Sequence, residues 1–244
     1  MNFNSYIDKV YVINLLSRKD RLLSVNNELL KQNINNYTVY PAIPSKNMGI
    51  LMTQIKLITE AFYNGYNSIL ILEDDVKSVN DLVTWYESVK DFDFIKKYQY
   101  DILYLGCNAH GIDENRQPFA LHESIVLQNK ILKVKDVYGC HAMIFTHSGM
   151  YKFLQMVNQF IKANAGFYIN EYEHKFSFTT HYYADIPNDV YIQRKLLPVC
   201  RAYASYPMIF SQQNGYSDIE KREMNQEYIE QRFKQQTEKL FKQK

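Results

Sequence analysis

The segment Ser68-Ile69-Leu70-Ile71-Leu72-Glu73-Asp74-Asp75 constrains this chain more than any other. A small residue and four apolar ones leave no polar face, so a strand here is covered on both sides. Such a strand belongs inside an α/β sheet with helices on each face. It then ends abruptly in three carboxylates. In open sheets of this class ligands bind beyond the carboxyl ends of the strands, so the acids stand where chemistry is done.

The flanking sequence repeats the pattern. Val10–Ile13 is a second buried run, ended by Asn14, and Ser17-x-x-Asp20 reads as a capping box for a helix with Leu22, Val25 and Leu29 on one face. Tyr37–Tyr40 is a short strand, Pro41 and Pro44 break the chain, and Leu51, Ile55, Ile58 and Phe62 form a second helical stripe. After the acids, Ser78-x-x-Asp81 reads as another capping box, before Leu82, Trp85, Tyr86 and Val89. Asp101–Leu105 is a strand ended by Gly106, Ser124–Leu127 and Ile131–Val134 are short strands, and Ala142–Phe145 precedes a helix with Met150, Phe153, Leu154, Val157 and Ile161. Residues 163–198 read as irregular, Val199–Ile209 as the last strand region, and Ser217–Lys244 as a charged helix. Strands alternating with helices of crossover length predict one α/β domain over residues 1–244, with a Rossmann-type, mostly parallel sheet.

Composition narrows the function. A formal charge of +2 offers no field for nucleic acid or an anionic membrane. Cys107, Cys140 and Cys200 form no CxxC pair, which argues against a disulfide framework or a zinc site and favours a reducing compartment. The start MNFNSYIDKV has no signal-peptide pattern, and no run reaches the ~18 apolar residues of a membrane span. The expectation is a cytosolic protein with at most peripheral membrane contact, through a tail that carries Ile219, Met224, Ile229, Phe233, Leu240 and Phe241 among charges. That tail is also an oligomer-helix candidate, although a solvated helix with one docked face is the simpler reading.

Three adjacent carboxylates raise one another's pKa unless a cation compensates. Hard oxygen ligands on a short segment suit Mg²⁺ or Mn²⁺, held by one or two carboxylates and substrate phosphates. The plain alternative is three solvated acids at the head of the next helix; the wholly apolar strand before them favours the metal. Asn14, Arg18 and Arg21 stand at the end of the first strand and the start of its helix, where an N-terminus and arginines attract phosphate. No Gly-rich phosphate loop is present.

Six segments, in order, resemble glycosyltransferase family 25, which includes lipooligosaccharide galactosyltransferases and collagen hydroxylysine glycosyltransferases. They are Val12-Ile13-Asn14-Leu15-x-x-Arg18-x-Asp20-Arg21, Ile69–Val76, Asp101–Gly106, Tyr138–Phe145, the neighbourhood of Asp189, and Tyr206-Pro207 with Gln212 and Ser217-Asp218-Ile219. The resemblance implies a GT-A type fold, a UDP-sugar donor of galactose or glucose, inversion at the anomeric carbon, and a glycan or hydroxylysine acceptor. It implies Glu73 and Asp75 as the metal and ribose pair, with Asp74 beside them. One segment departs: Gly49–Gln54 carries Gln54 where the family shows His, and Thr53 there is a donor-contact candidate.

An inverting transfer needs a base for the acceptor hydroxyl. Asp189 is the first choice, with Asp185 or Glu171 as substitutes; a turn acid after Pro187-Asn188 is the bland reading. His174 and His181 are candidates for a third metal ligand, while His141, in an apparent strand, reads as structural or pocket-lining. Ser217 and Asp218 are candidates for the diphosphate or donor sugar, or for a helix cap. Tyr182, Tyr183, Tyr203 and Tyr206 are candidate stacking platforms. Two other classes stay open: a silent nucleotide-sugar or glycan-binding module, favoured by Gln54, and a metal-dependent phosphatase or nucleotidyltransferase, which the Asn14 strand end and the missing Gly-rich loop oppose.

Overall fold

The computed structural model describes residues 3–44, 46–90, 99–108, 130–134, 137–171, 189, 192–217, 222–224 and 227–242. Six α-helices, α1 (Phe3–Tyr6), α2 (Lys19–Lys31), α3 (Lys46–Tyr63), α4 (Leu82–Lys90), α5 (His147–Glu171) and α6 (Glu227–Lys242), accompany the strands among these residues. The strands are β1 (Lys9–Asn14), β2 (Thr38–Pro41), β3 (Ser68–Glu73), β4 (Val76–Ser78), β5 (Ile102–Asn108), β6 (Ile131–Lys133), β7 (Tyr138–Thr146), β8 (Ala202–Ser205), β9 (Phe210–Gln212), β10 (Gly215–Ser217) and β11 (Arg222–Met224).

The central sheet has seven strands in the order β2-β1-β3-β7-β5-β8-β6. β1, β2, β3, β5 and β8 run one way; β7 and β6 run the other. The predicted, mostly parallel α/β sheet flanked by helices is therefore present, with β7 inserted antiparallel between β3 and β5. Two short pairs, β4 with β9 and β10 with β11, stand outside it.

Pleating explains the continuous apolar runs, because successive side chains enter opposite cores. Tyr11, Ile13, Ile69, Ile71, Ile102, Tyr104, Met143 and Phe145 face one side, where Leu57 and Ile58 of α3 and Met150 and Phe153 of α5 cover them. Val10, Val12, Leu70, Leu72, Leu103, Leu105, Ala142 and Ile144 face the other, against Val25 and Leu29 of α2 and Trp85, Tyr86 and Val89 of α4.

Several boundaries differ from expectation. Neither capping box forms. Asp20 pairs with Arg18 at 2.9 Å, and Arg18 at the head of α2 makes no side-chain cap. The cap of α4 is Asp81, whose Oδ1 accepts from the Thr84 N–H at 2.6 Å, while Ser78 belongs to β4. β5 runs on through Gly106 to Asn108, with irregular register against β7. The stretch read as irregular from 163 is helical as far as Glu171. The tail first forms the β10–β11 pair, and its helix begins only at Glu227. The expected strand at Ser124–Leu127 lies outside the described residues.

Candidate active site at the carboxyl edge

Asn14 closes β1, Glu73 closes β3, and Asp74 and Asp75 form the turn into β4. Asn108 closes β5. Because β7 runs backwards, its first residues reach the same edge, with Tyr138 beside Asn108. Gln212 arrives from β9, paired with Val76. One sheet edge thus gathers residues that lie far apart in sequence.

Asp74 is saturated. Its Oδ2 accepts from Asn14 Nδ2 at 2.7 Å and its Oδ1 from Arg21 Nη1 at 3.0 Å. The same Arg21 nitrogen lies 3.5 Å from Asp75 Oδ2, and its Nη2 donates to the Tyr216 carbonyl at 2.9 Å. Asp75 Oδ1, by contrast, is enclosed and has no hydrogen-bond partner among the described residues. Burial raises the Asp75 carboxyl, against the opposing pull of Arg21 and a hydrogen bond from Gln212. Burial and Asp75 likewise raise Asp74, against Arg21 and Asn14. Glu73 is raised well above the carboxylate range, by burial first and then by the charges of Asp75, Asp74 and Asp189.

That last influence joins Asp189 electrostatically to the acid cluster. Asp189 Oδ2 accepts from the Gly139 N–H at 3.0 Å. Gly139 has φ +77°, and a Cβ on it would lie 3.2 Å from the Asn108 amide and from His141 Nδ1. His141 is completely buried in β7, as its strand position implied. Its Nε2 bonds the Phe210 carbonyl at 3.2 Å, and its Nδ1 has no partner among the described residues. Burial holds the imidazole down at about 4, so it is neutral at physiological pH.

The other expected site residues fall in different places. Thr53 is fully buried in α3; its hydroxyl donates to the Gly49 carbonyl at 2.6 Å and accepts from the Ile43 N–H at 2.9 Å. Gln54 is buried beside it. Arg18 pairs with Asp20, and its charge is also felt at Asp75. Ser217 ends β10, near Tyr216 and hence near the Arg21 contact. Tyr203 is buried in β8, and Tyr206 packs against Phe233 of α6. Asp218, His174, His181, Tyr182, Tyr183 and Asp185 lie outside the described residues, as does the side chain of Glu171. Asn108 was not anticipated, nor was the contact of Gly139 with Asp189. The position of Asn108 at a strand's carboxyl end was the available signal, hidden because Gly106 reads as a stop.

Among the described residues no group of three or more His, Cys, Asp or Glu side chains is placed to hold a metal ion alone. The carboxylate chemistry still fits a divalent ion: Glu73 and the unpartnered Asp75 Oδ1 are hard oxygen donors whose charges repel. A cation held there would fill its remaining positions from a substrate and water, the usual magnesium arrangement.

No family model and no curated protein matches the chain. Among solved structures, it is similar to A197 from STIV, at 12% identity and a TM-score of 0.45 over 89% of this chain and 92% of that one. It is also similar to mannose-1-phosphate geranyltransferase from Thermus thermophilus, at 8% identity and a TM-score of 0.37 over 81% and 72% of the two chains. At that level of likeness neither carries a role over to this chain. No helix among the described residues is long and apolar enough to cross a membrane.

Proposed function

We propose that this chain is a metal-dependent, inverting glycosyltransferase of the family 25 kind, moving galactose or glucose from a UDP-sugar to a hydroxyl of a glycan or hydroxylysine. The observation that carries the reading is the carboxylate cluster at the end of β3, with Asp189 in electrostatic reach of Glu73. The ordered motif resemblance supplies the reaction.

Glu73 and Asp75 hold Mn²⁺ or Mg²⁺, with His174 as the candidate third ligand. When bound, the ion stabilises the departing diphosphate. Asn14 and Arg18 border the donor side from the β1–α2 turn, and Ser217 and Asp218 are the candidates from the closing segment. Asp189, one of whose oxygens accepts from the Gly139 N–H, takes the proton of the attacking hydroxyl.

The test is UDP release from a panel of UDP-sugars with Mn²⁺, with and without EDTA. Metal-dependent release from one sugar is expected, and Asp189→Ala should abolish transfer while UDP still binds. No release together with no UDP binding refutes the class. Transfer retained by Asp189→Ala refutes the base assignment alone.

A further inference from the structure

Two arginines stand at the head of α2, and both act on the acid cluster: Arg21 bonds Asp74 directly, while the charge of Arg18 is felt at Asp75. Arg18 pairs with Asp20, whose side chain is 66% exposed, although Arg18 itself is only 22% exposed. Arg21 is as covered, with 21% of its side chain exposed, but it turns to Asp74. Its two terminal nitrogens meet three acceptors on two segments: Asp74 Oδ1 at 3.0 Å and Asp75 Oδ2 at 3.5 Å in the β3–β4 turn, and the Tyr216 carbonyl at 2.9 Å in β10. With Asn14 on the other Asp74 oxygen, both oxygens of that carboxylate are engaged. Asp75 is divided: one oxygen faces the guanidinium, and the other, Oδ1, has no hydrogen-bond partner among the described residues.

We propose that Arg21 is a positioning residue and the resident counter-cation of the centre: it neutralises Asp74, turns Asp75 Oδ1 away from itself and toward an incoming divalent ion, and ties the β10 strand to the acids. The inference rests on the metal reading above. It gives Arg21 a task other than gripping phosphate. A closely packed carboxylate triplet without a cation destabilises the fold by mutual repulsion and lost hydration. Arg21 supplies part of that missing charge, so the chain folds before any metal arrives. The same guanidinium then opposes the metal, because two cations share one set of acids.

Removing Arg21 should therefore do two things that a merely structural residue would not do together. It should lower stability in the absence of metal and strengthen metal binding. The experiment measures Mn²⁺ affinity by calorimetry and thermal unfolding in EDTA and in Mn²⁺. It compares wild type with Arg21→Lys, Arg21→Met and the double variant Arg21→Met with Asp74→Asn, all as the full chain. Arg21→Met is expected to melt lower in EDTA and to bind Mn²⁺ about tenfold more tightly, the factor that ~1.4 kcal/mol represents. Its Mn²⁺-linked rise in melting temperature should exceed that of wild type. Arg21→Lys keeps the charge and should hold affinity within about threefold of wild type. The double variant removes one charge of each sign, so its affinity should return toward wild type and part of its EDTA stability should be restored.

If Arg21→Met is unfolded in EDTA, Mn²⁺ alone should refold it, read by circular dichroism; failure to refold overturns the proposal. Mn²⁺ affinity that is unchanged or weaker in Arg21→Met also overturns it, with the metal reading intact. If wild type itself binds no Mn²⁺ and gains no stability from it, the metal reading fails and the proposal falls with it.

Discussion

Alanine in place of Gly106 tests how closely β5, β7 and β9 are packed behind the site. A Cβ built there lies 2.2 Å from the Phe210 carbonyl oxygen and 2.4 Å from His141 Nε2. Ordinary carbon–oxygen contacts begin near 3.4 Å, so the overlap is about 1 Å. Neither obstacle is a flexible chain end: one is backbone of β9 and the other a completely buried ring. Overpacking of this kind costs ~1–3 kcal/mol. Moving β9 aside also stretches the His141–Phe210 bond of 3.2 Å and the Ile209 N–H to Leu105 carbonyl bond of 2.8 Å, at ~1 kcal/mol each. The sum is ~3–5 kcal/mol, a fall of ~6–20 °C in melting temperature for a chain of this size. Gly65→Ala is the control. Gly65 has φ +74° with nothing within 4 Å of its missing Cβ. It should lose only the ~1–2 kcal/mol of left-handed backbone strain. Thermal unfolding by circular dichroism checks both. A Gly106→Ala protein melting within about 2 °C of wild type, or equal losses at the two glycines, would refute the packing argument.

Two further predictions concern charge. Asp101 is completely buried; burial alone would raise its carboxyl, but bonds from the Arg201 N–H, Lys152 and Ser148 outweigh this and lower it. A depressed carboxyl stabilises the fold above its unfolded value of ~3.9 and loses that contribution as pH falls through the folded one. Asp101→Asn should cost ~2–3 kcal/mol at pH 7, because Lys152 loses its 2.7 Å partner, and should flatten the acid limb of stability below about pH 4; urea titrations across pH read both. Glu73 has the opposite sign: its raised carboxyl destabilises the fold increasingly as pH rises above the unfolded value. Glu73→Gln should therefore melt higher than wild type in EDTA at pH 7, with the gap closing toward pH 4, while its Mn²⁺-linked gain shrinks. A variant that melts lower at pH 7 contradicts the repulsion.

The sheet was legible because its strands carry the physics of burial on two faces. Val10–Ile13, Ser68–Leu72 and Ala142–Phe145 lack any polar face, and each is a strand of the central sheet. The direction of β7 was not legible, since a doubly buried strand has the same composition whichever way it runs. The capping boxes failed because side-chain oxygens have competitors: Arg18 takes Asp20, and pairing of β4 with β9 takes the Ser78 region. The acid cluster was visible from its charge alone. How its members divide was not, because that depends on Asn14 and Arg21, which meet Asp74 across 60 and 53 positions of sequence. Thr53 illustrates the limit from the other direction: a hydroxyl in a suggestive motif is held by its own backbone neighbours.

The reversed strand also bears on how the chain is made. β3 pairs with β1 on one side and with β7 on the other, so β1–β3 and β5–β8 are joined through β7. Roughly seventy residues separate the end of β3 from the end of β7, which at ~5–20 residues per second is on the order of ten seconds of synthesis. For that interval one edge of the buried strand β3 waits for its neighbour, an open template for strands of other nascent chains. The same insertion that brings Tyr138 and Gly139 to the acids therefore sets a period of vulnerability on the ribosome, when a chaperone that covers exposed β-edges would matter most.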